Sequence, residues 1–333
     1  MIKTFSTKKM SFLALGIFLL FYLVGVYWSL SVEPFDLTEE VTVAATTDNV
    51  APVVGYTTTT ALIKVATSML DKPGGYLSND ALPPGLLLDN MPAWEFGVLQ
   101  MVRDMALVLR KDFSRSQSQS TENVHIQKAQ PQFNIDNRSW AMPSAESEYR
   151  KAIASLKLYR NALVGISKIK NDSAQFYARA DNLTSYLDEI QKRLGSYSQR
   201  LSASVGKDRI NTDLAGDSKA QQSTVASSHS QIRTSWWKLD DVFYEARGAA
   251  WALMHFLKAI EIDFDSVLKN KNATISLQQI IRELEASQQT LFSPMVLNGD
   301  GFGMLANHSL VMANYISRAN AALIDLNELL RKG

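Results

Sequence analysis

The chain has 333 residues, 46% of them hydrophobic and 20% charged, with 34 Lys and Arg against 33 Asp and Glu and a formal net charge of +1. That balance excludes the polybasic surface of a nucleic-acid-binding protein, and the apolar content excludes a chain disordered throughout. No Cys is present, so disulfides, thiolate metal ligands and lipid attachment through cysteine are excluded, and stability must come from the core.

The first element is an apolar run from Phe12 to Leu30, preceded by Lys3, Lys8 and Lys9 and followed by Glu33, Asp36, Glu39 and Glu40. About 20 residues rising about 1.5 Å each cross a hydrocarbon core of about 30 Å as a helix. Lysine excess holds a flank in the cytoplasm. Residues 1–11 therefore read as a cytoplasmic tail, 12–30 as a single transmembrane helix and everything later as exported. Tyr22, Tyr27 and Trp28 fall toward the outer interface, where amphipathic rings suit the headgroup layer. A cleaved secretory signal ending near Ser29 and Ser31 is the competing reading, but its apolar region is typically about 7 to 15 residues, shorter than this one. The exported part keeps 31 of the basic residues and all 33 acidic ones, formally −2. That mixture is neither a nucleic-acid surface nor an adhesive patch for anionic lipid.

Residues 31–56, rich in Thr and Val, read as a stalk between the membrane and a helical-bundle domain over 57–333. Two helices are predicted next, Thr57 to Asp71 and Pro92 to Phe113, the second through Trp94, Val98, Met101, Met105 and Val108. The connection between them carries Pro73-Gly74-Gly75-Tyr76-Leu77 and Pro83-Pro84-Gly85-Leu86-Leu87-Leu88. Pro and Gly stop a helix, but a connection of about 20 apolar residues is unusual, because long loops are normally polar. It must be covered. Either it plugs one end of the bundle, the favoured reading because burial alone satisfies the pattern, or it docks a partner or a membrane. Tyr76, Leu86, Leu87 and Trp94 are its candidate contact residues.

Ser114 to Gln130 reads as a polar loop. A stripe through Tyr149, Ile153, Leu156, Tyr159, Leu163, Ile166 and Ile169 predicts a helix capped by Ser144, with Glu146 and Glu148 in its first turn. Leu183, Leu187, Ile190, Leu194, Tyr197 and Leu201 predict another, and Ser202 to Ser230 a second polar loop. The longest stripe, Ile232 through Trp236, Leu239, Phe243, Ala246, Ala250, Leu253, Leu257, Ile260 and Phe264 to Val267, predicts an unbroken helix of about ten turns, roughly 54 Å. Gly248, Ala249 and Ala252 would admit a close neighbour. Leu277, Ile280, Leu284 and Leu291 predict a shorter helix with Ser276 and Gln279 as a capping box. Met312, Ile316, Ala319, Leu323, Leu326 and Leu330 predict the last. Strands are expected only as short pieces, around Val41 to Val43 or Phe133 to Ile135. The fold class is all-α: one N-terminal transmembrane helix followed by an elongated multi-helix bundle.

Chemistry-bearing constellations are sparse. Trp236 sits on the long stripe, which leaves Trp237 toward an edge as a candidate partner anchor, although a partly buried indole is the commoner outcome. Asp241 and Glu245 invite a glycosidase-like acid and base, but a solvated face is the plainer reading, and like charges four apart call for a neighbouring cation. His125, His229, His255 and His308 have no second His or Cys at metal-ligand spacing, and no Glu-x-x-His pair surrounds His255. No Gly-x-Ser-x-Gly elbow is present. Asn298 to Gly303 lacks both the phosphate-loop lysine and the calcium-loop carboxylates and reads as a turn. No catalytic, cofactor or metal residues are assigned.

Four segments carry a resemblance: Lys72-Pro73-Gly74-Gly75-Tyr76-Leu77-Ser78-Asn79-Asp80, Met91-Pro92-Ala93-Trp94-Glu95, Pro143-Ser144-Ala145-Glu146-Ser147-Glu148-Tyr149 and Asp240-Asp241-Val242-Phe243-Tyr244-Glu245-Ala246-Arg247-Gly248. Together they resemble a family of Gram-negative envelope proteins catalogued as a domain of unknown function. The resemblance implies a bacterial inner-membrane protein with a periplasmic helical domain, and no residue roles. The leading expectation is a non-enzymatic, tethered scaffold that binds an unidentified envelope protein, with homo-oligomers allowed by the helical stripes. A periplasmic small-ligand sensor working through a partner comes second, and a carboxylate-dependent hydrolase of an envelope polymer last.

Overall fold

A computed structural model describes residues 7–115, 122–169, 172–210, 229–293, 295–300 and 304–332. Its helices in chain order are α1 (Thr7–Trp28), α2 (Leu37–Asp48), α3 (Tyr56–Asp71), α4 (Asn90–Val108), α5 (Val124–Phe133), α6 (Ala145–Leu163), α7 (Ala180–Ser202), α8 (Leu239–Asp263), α9 (Asp265–Asn270), α10 (Thr274–Ala286) and α11 (His308–Lys332). One short antiparallel pair, β1 (Lys207–Ile210) with β2 (His229–Ile232), interrupts the all-α pattern. The last turn of α4 continues as a π-helical turn over Leu109–Phe113.

Ion pairs and caps fix how the helices run. Arg150 meets Asp71 at 2.8 Å and Arg160 bonds Thr60 at 3.4 Å, so α3 and α6 are antiparallel. Asp263, at the end of α8, accepts from Thr58 N and Oγ1 at 2.7 Å each and thereby caps the start of α3. A buried helix N-terminus needs such acceptors, because its first amides have no partner within the helix. On α7, Asn182 reaches Asp112 O at 3.1 Å, whereas Arg200 grips Glu245 near the start of α8 at 2.8 and 2.6 Å. Lys258 pairs with Glu285 at 2.7 Å and Arg247 donates to Gln288 O at 2.9 Å, so α10 returns antiparallel to α8. Arg331, at the end of α11, binds Asp188 in the first half of α7.

These directions gather the end of α3, the starts of α4, α6 and α8, and the ends of α7 and α10 at one pole, here called proximal. The proximal pole is where α1 attaches. A Cβ built at Gly25 would lie 3.7 Å from Pro84 and 3.9 Å from Leu88, and one at Gly74 would lie 2.7 Å from Trp28. Elsewhere α1 stands clear of the bundle, its apolar window only 6% buried.

At the centre α8 crosses α4 with backbone almost touching backbone. A Cβ at Gly97 would lie 2.8 Å from Ala249 N, and one at Gly248 would lie 2.9 Å from the Trp94 carbonyl carbon. The small residues of α8 thus admit a neighbour as their size allows. Trp94 and Trp251 pack at 5.2 Å between ring centroids beside this crossing.

Several expectations change. The long helix is divided: a 3₁₀ turn over Trp236–Lys238 precedes α8, Phe264 ends it, and Ile232 belongs to β2. The 25 residues of α8 span about 37 Å. Trp236, placed in the core by the stripe, is 71% exposed, because it precedes the helix that would have turned it inward. Residues 31–56, expected as a stalk, hold α2, capped by Asp36 and seated on the bundle through buried Leu37 and Ala45. Val41 to Val43 is helical within it. The polar stretch from Ser114 contains α5, capped by Asn123, which buries His125, Ile126, Ala129 and Phe133. In α6 the Ser144 cap holds, but the helix stops at Leu163, leaving Ile166 and Ile169 exposed. Ser276 lies inside α10 rather than capping it. Part of the second polar stretch, residues 211–228, and Gly301 to Gly303 lie outside the described residues.

Candidate functional site

The apolar connection over 72–89 splits into a buried half and an exposed half. Its buried half is organised by Glu95, fully enclosed in α4, which accepts from Leu77 N and Ser78 N at 2.8 Å each and from Ser78 Oγ at 2.5 Å. Lys72 completes the set with an ion pair to Glu95 at 2.5 Å, its ammonium buried and also donating to Gly75 O. Burial raises the Glu95 carboxyl pKa, while Lys72, Ser78 and the Leu77 amide pull it back. Tyr76 is buried against Tyr149, its hydroxyl donating to Asn137 O at 3.1 Å. So this half is a plug, as favoured from the sequence.

The remainder faces outward. Leu82, Leu86 and Leu87 are 76%, 60% and 74% exposed around a 3₁₀ turn at Gly85–Leu87. Of the five contact residues read from the sequence, Tyr76 and Trp94 are therefore interior and cannot meet a partner on the surface, whereas Leu86, Leu87 and Trp237 are open. Trp140 and Met142 are open too, on a loop tied to this connection by Asn79 Nδ2 donating to Ser139 O at 2.8 Å. Sequence reading passed over both, since neither belongs to a periodic stripe.

Several of the titratable groups singled out from the sequence have internal partners. Glu245 is held by Arg200, the cation that its like-charged neighbour called for. Asp241 has its pKa raised by burial and then by Asp89, Asp240 and Glu245. His255 is enclosed: its Nδ1–H donates to Trp251 O at 2.8 Å, Nε2 accepts from Phe35 N at 3.2 Å, and the ring stacks on Phe35 at 3.9 Å. Burial holds its pKa down at about 4, so it is a neutral, structural imidazole. His125 binds Asp172 at 2.9 Å, and Ser167 donates to that same carboxylate rather than to the imidazole. A serine nucleophile needs the base on its own hydroxyl, so this trio is not a catalytic triad. Among the described residues no group of three or more His, Asp or Glu is placed to hold a metal ion.

Clefts among the described residues include three. One of about 650 Å³ lies between the α1–α2 linker and α8 and α10, where Lys258 pairs with Glu285 and the Gln278 amide donates to Glu261. A second, about 580 Å³, runs along α2 from Val41 to Pro52. A third, about 440 Å³, lies at the proximal pole among Phe243, Arg247, Leu291, His308, Met312 and Tyr315.

Together these features define a helical bundle bearing an apolar N-terminal helix of the kind that anchors a chain in a membrane or directs its export. The sequence matches, over residues 3–333, a family described as an uncharacterised protein conserved in bacteria (DUF2333), and the chain belongs to that family. Comparison with curated proteins and with solved structures gives no match.

Proposed function

We propose that this is a single-pass protein of the bacterial inner membrane, N-terminus in the cytoplasm, whose periplasmic bundle acts without catalysis as a tethered interaction module for another envelope protein. The observation that carries this reading is the contrast between its two parts. Over its apolar window α1 leaves its surface open at a mean hydropathy of 2.2, while the bundle spends its buried charges on its own architecture. An apolar helix of that exposure is unstable in water and stable in lipid.

The natural absence of Cys makes the topology testable. With Lys157→Cys on the exposed side of α6, a membrane-impermeant maleimide is expected to label cells whose outer membrane alone has been opened. Labelling only after inner-membrane rupture would overturn the placement. Photocrosslinking residues on the exposed faces of α6 and α11 should then give a reproducible adduct with an envelope protein, and background alone at every position would count against the interaction role.

A second reading, a small-ligand sensor, draws support from the cleft of about 440 Å³ beside Phe243 and Tyr315. Its apolar wall with one arginine suits an amphiphile with an anionic head. Under that reading an envelope metabolite stabilises the protein and Arg247→Met abolishes the effect; unchanged unfolding midpoints across the panel would dismiss it.

A further inference from the structure

The proximal pole concentrates exposed apolar side chains that a water-facing surface does not need. Leu82, Leu86 and Leu87 project from the 72–89 connection, Trp140 from the adjoining loop before α6, and Trp236 and Trp237 from the turn that opens α8. All three segments close the same end of the bundle, because α3 ends there and α4, α6 and α8 begin there. A single exposed leucine means little, whereas six large apolar residues at one pole mark a surface with an occupant.

Contact with α1 identifies that occupant. Pro84 and Leu88, flanking the exposed leucines, pack on Gly25, and Gly74 packs on Trp28. Gly25 lies three residues before the end of α1, about 4.5 Å inside it. The apolar window Met10–Trp28 is 19 residues long, about 28 Å, close to the thickness of a hydrocarbon core. The leucine turn is therefore level with the last turn of the span, the depth at which a bilayer passes from acyl chain to headgroup. Indoles prefer that layer, and three of the six exposed residues are tryptophans.

We infer that the proximal pole is a second membrane contact: Leu82, Leu86 and Leu87 enter the outer face of the bilayer that holds α1, and Trp140, Trp236 and Trp237 rest in its headgroup layer. The bundle then stands on the membrane with its poles along the normal, and the distal pole, with α9 and the Asp263-capped start of α3, faces away. This rests on α1 being a retained span, and it deepens that reading by fixing the posture of the bundle.

The test uses the full chain in vesicles of phosphatidylethanolamine and phosphatidylglycerol, with one environment-sensitive fluorophore on a single introduced cysteine: Leu19→Cys in α1, Leu87→Cys, Trp237→Cys, or Lys269→Cys at the distal pole. Lipids carrying a nitroxide near the headgroup should quench the Leu87 and Trp237 probes strongly, a deep nitroxide should quench Leu19, and neither should affect Lys269. Deep quenching at Leu19 with silence at Leu87 and Trp237 would overturn the second contact and leave the anchor standing. Silence at Leu19 would remove the anchor itself. Emission at Leu87 that ignores lipid but changes with protein density would give the pole to a second copy of the chain instead. In the variant Leu86→Asp with Leu87→Asp, both on the surface, quenching at Trp237 should fall while that at Leu19 persists.

Discussion

Replacing Gly248 by Ala asks whether α4 and α8 truly touch backbone to backbone. Carbon atoms rest comfortably at about 3.5 Å or more. The new methyl would sit 2.9 Å from the Trp94 carbonyl carbon and nearer still to its oxygen. Backbone cannot rotate aside as a side-chain tip would, so the helices must part along the crossing that holds Trp94 on Trp251. Overpacking of this kind costs about 3 kcal/mol at the upper end of its range. Alanine returns about 1 kcal/mol in helix propensity. The net loss is about 2 kcal/mol, a fall in unfolding midpoint of roughly 4 to 8 °C. Gly195→Ala supplies the control with the opposite sign: in α7 its Cβ would meet only Asn320 Nδ2 at 3.9 Å, so the propensity gain of about 1 kcal/mol stands alone. Circular dichroism melts of the full chain in mild detergent measure both. If Gly248→Ala melts at or above the parent, as Gly195→Ala should, the close crossing is refuted.

Glu95→Gln strands the buried Lys72 ammonium without a counter-charge and should cost about 3 to 5 kcal/mol by denaturant titration; a loss below about 1 kcal/mol would show that the pair does not organise the plug. Asp263→Ala removes the acceptor of both Thr58 donors and should cost about 1 to 3 kcal/mol, with early amide exchange concentrated in the first turn of α3. Uniform loss of protection along α3 would contradict that placement. The neutral His255 gives a pH dependence whose sign follows from its depressed pKa: the unfolded imidazole takes up a proton near 6.5 while the folded one waits until about 4. Its contribution is full above pH 6.5 and declines as the pH falls from 6.5 to about 4, by about 3 kcal/mol in all. The midpoint-against-pH curve of His255→Gln should be flatter than the parent's across that window, and parallel curves would place His255 at an ordinary pKa.

Periodicity made the helices legible wherever one face is apolar over several turns. The Leu183 to Leu201 stripe became α7 and the Met312 to Leu330 stripe became α11 with every stripe position buried. Where the signal failed, a competing force is visible. Helix α5 was hidden because it buries only His125, Ile126, Ala129, Gln130 and Phe133 and carries Pro131 inside it, so its pattern resembles a loop. Helix α2 was hidden by its Thr and Val content, yet Thr42, Thr46 and Thr47 each return their hydroxyl to a carbonyl one turn back, at 2.7 to 2.8 Å. The long stripe overran its helix because spacing alone does not register that the chain turns at Phe264 or pairs as a strand at Ile232. Among the contact residues, apolar character was legible and direction was not: Tyr76 and Leu87 read alike in sequence, and one is enclosed while the other is bare.

Sequence alone determined that the first apolar segment is long enough for a bilayer, that the rest is helical, and that no thiol chemistry exists, because length, period and composition are properties of consecutive residues. Tertiary structure alone decided which aromatic residues are core and which face out, that Glu95 and Asp263 cap and brace other segments, and that exposed leucines and tryptophans from three separate stretches lie at the pole where α1 attaches. Those facts depend on distances between residues far apart in the chain, which packing sets and local pattern does not.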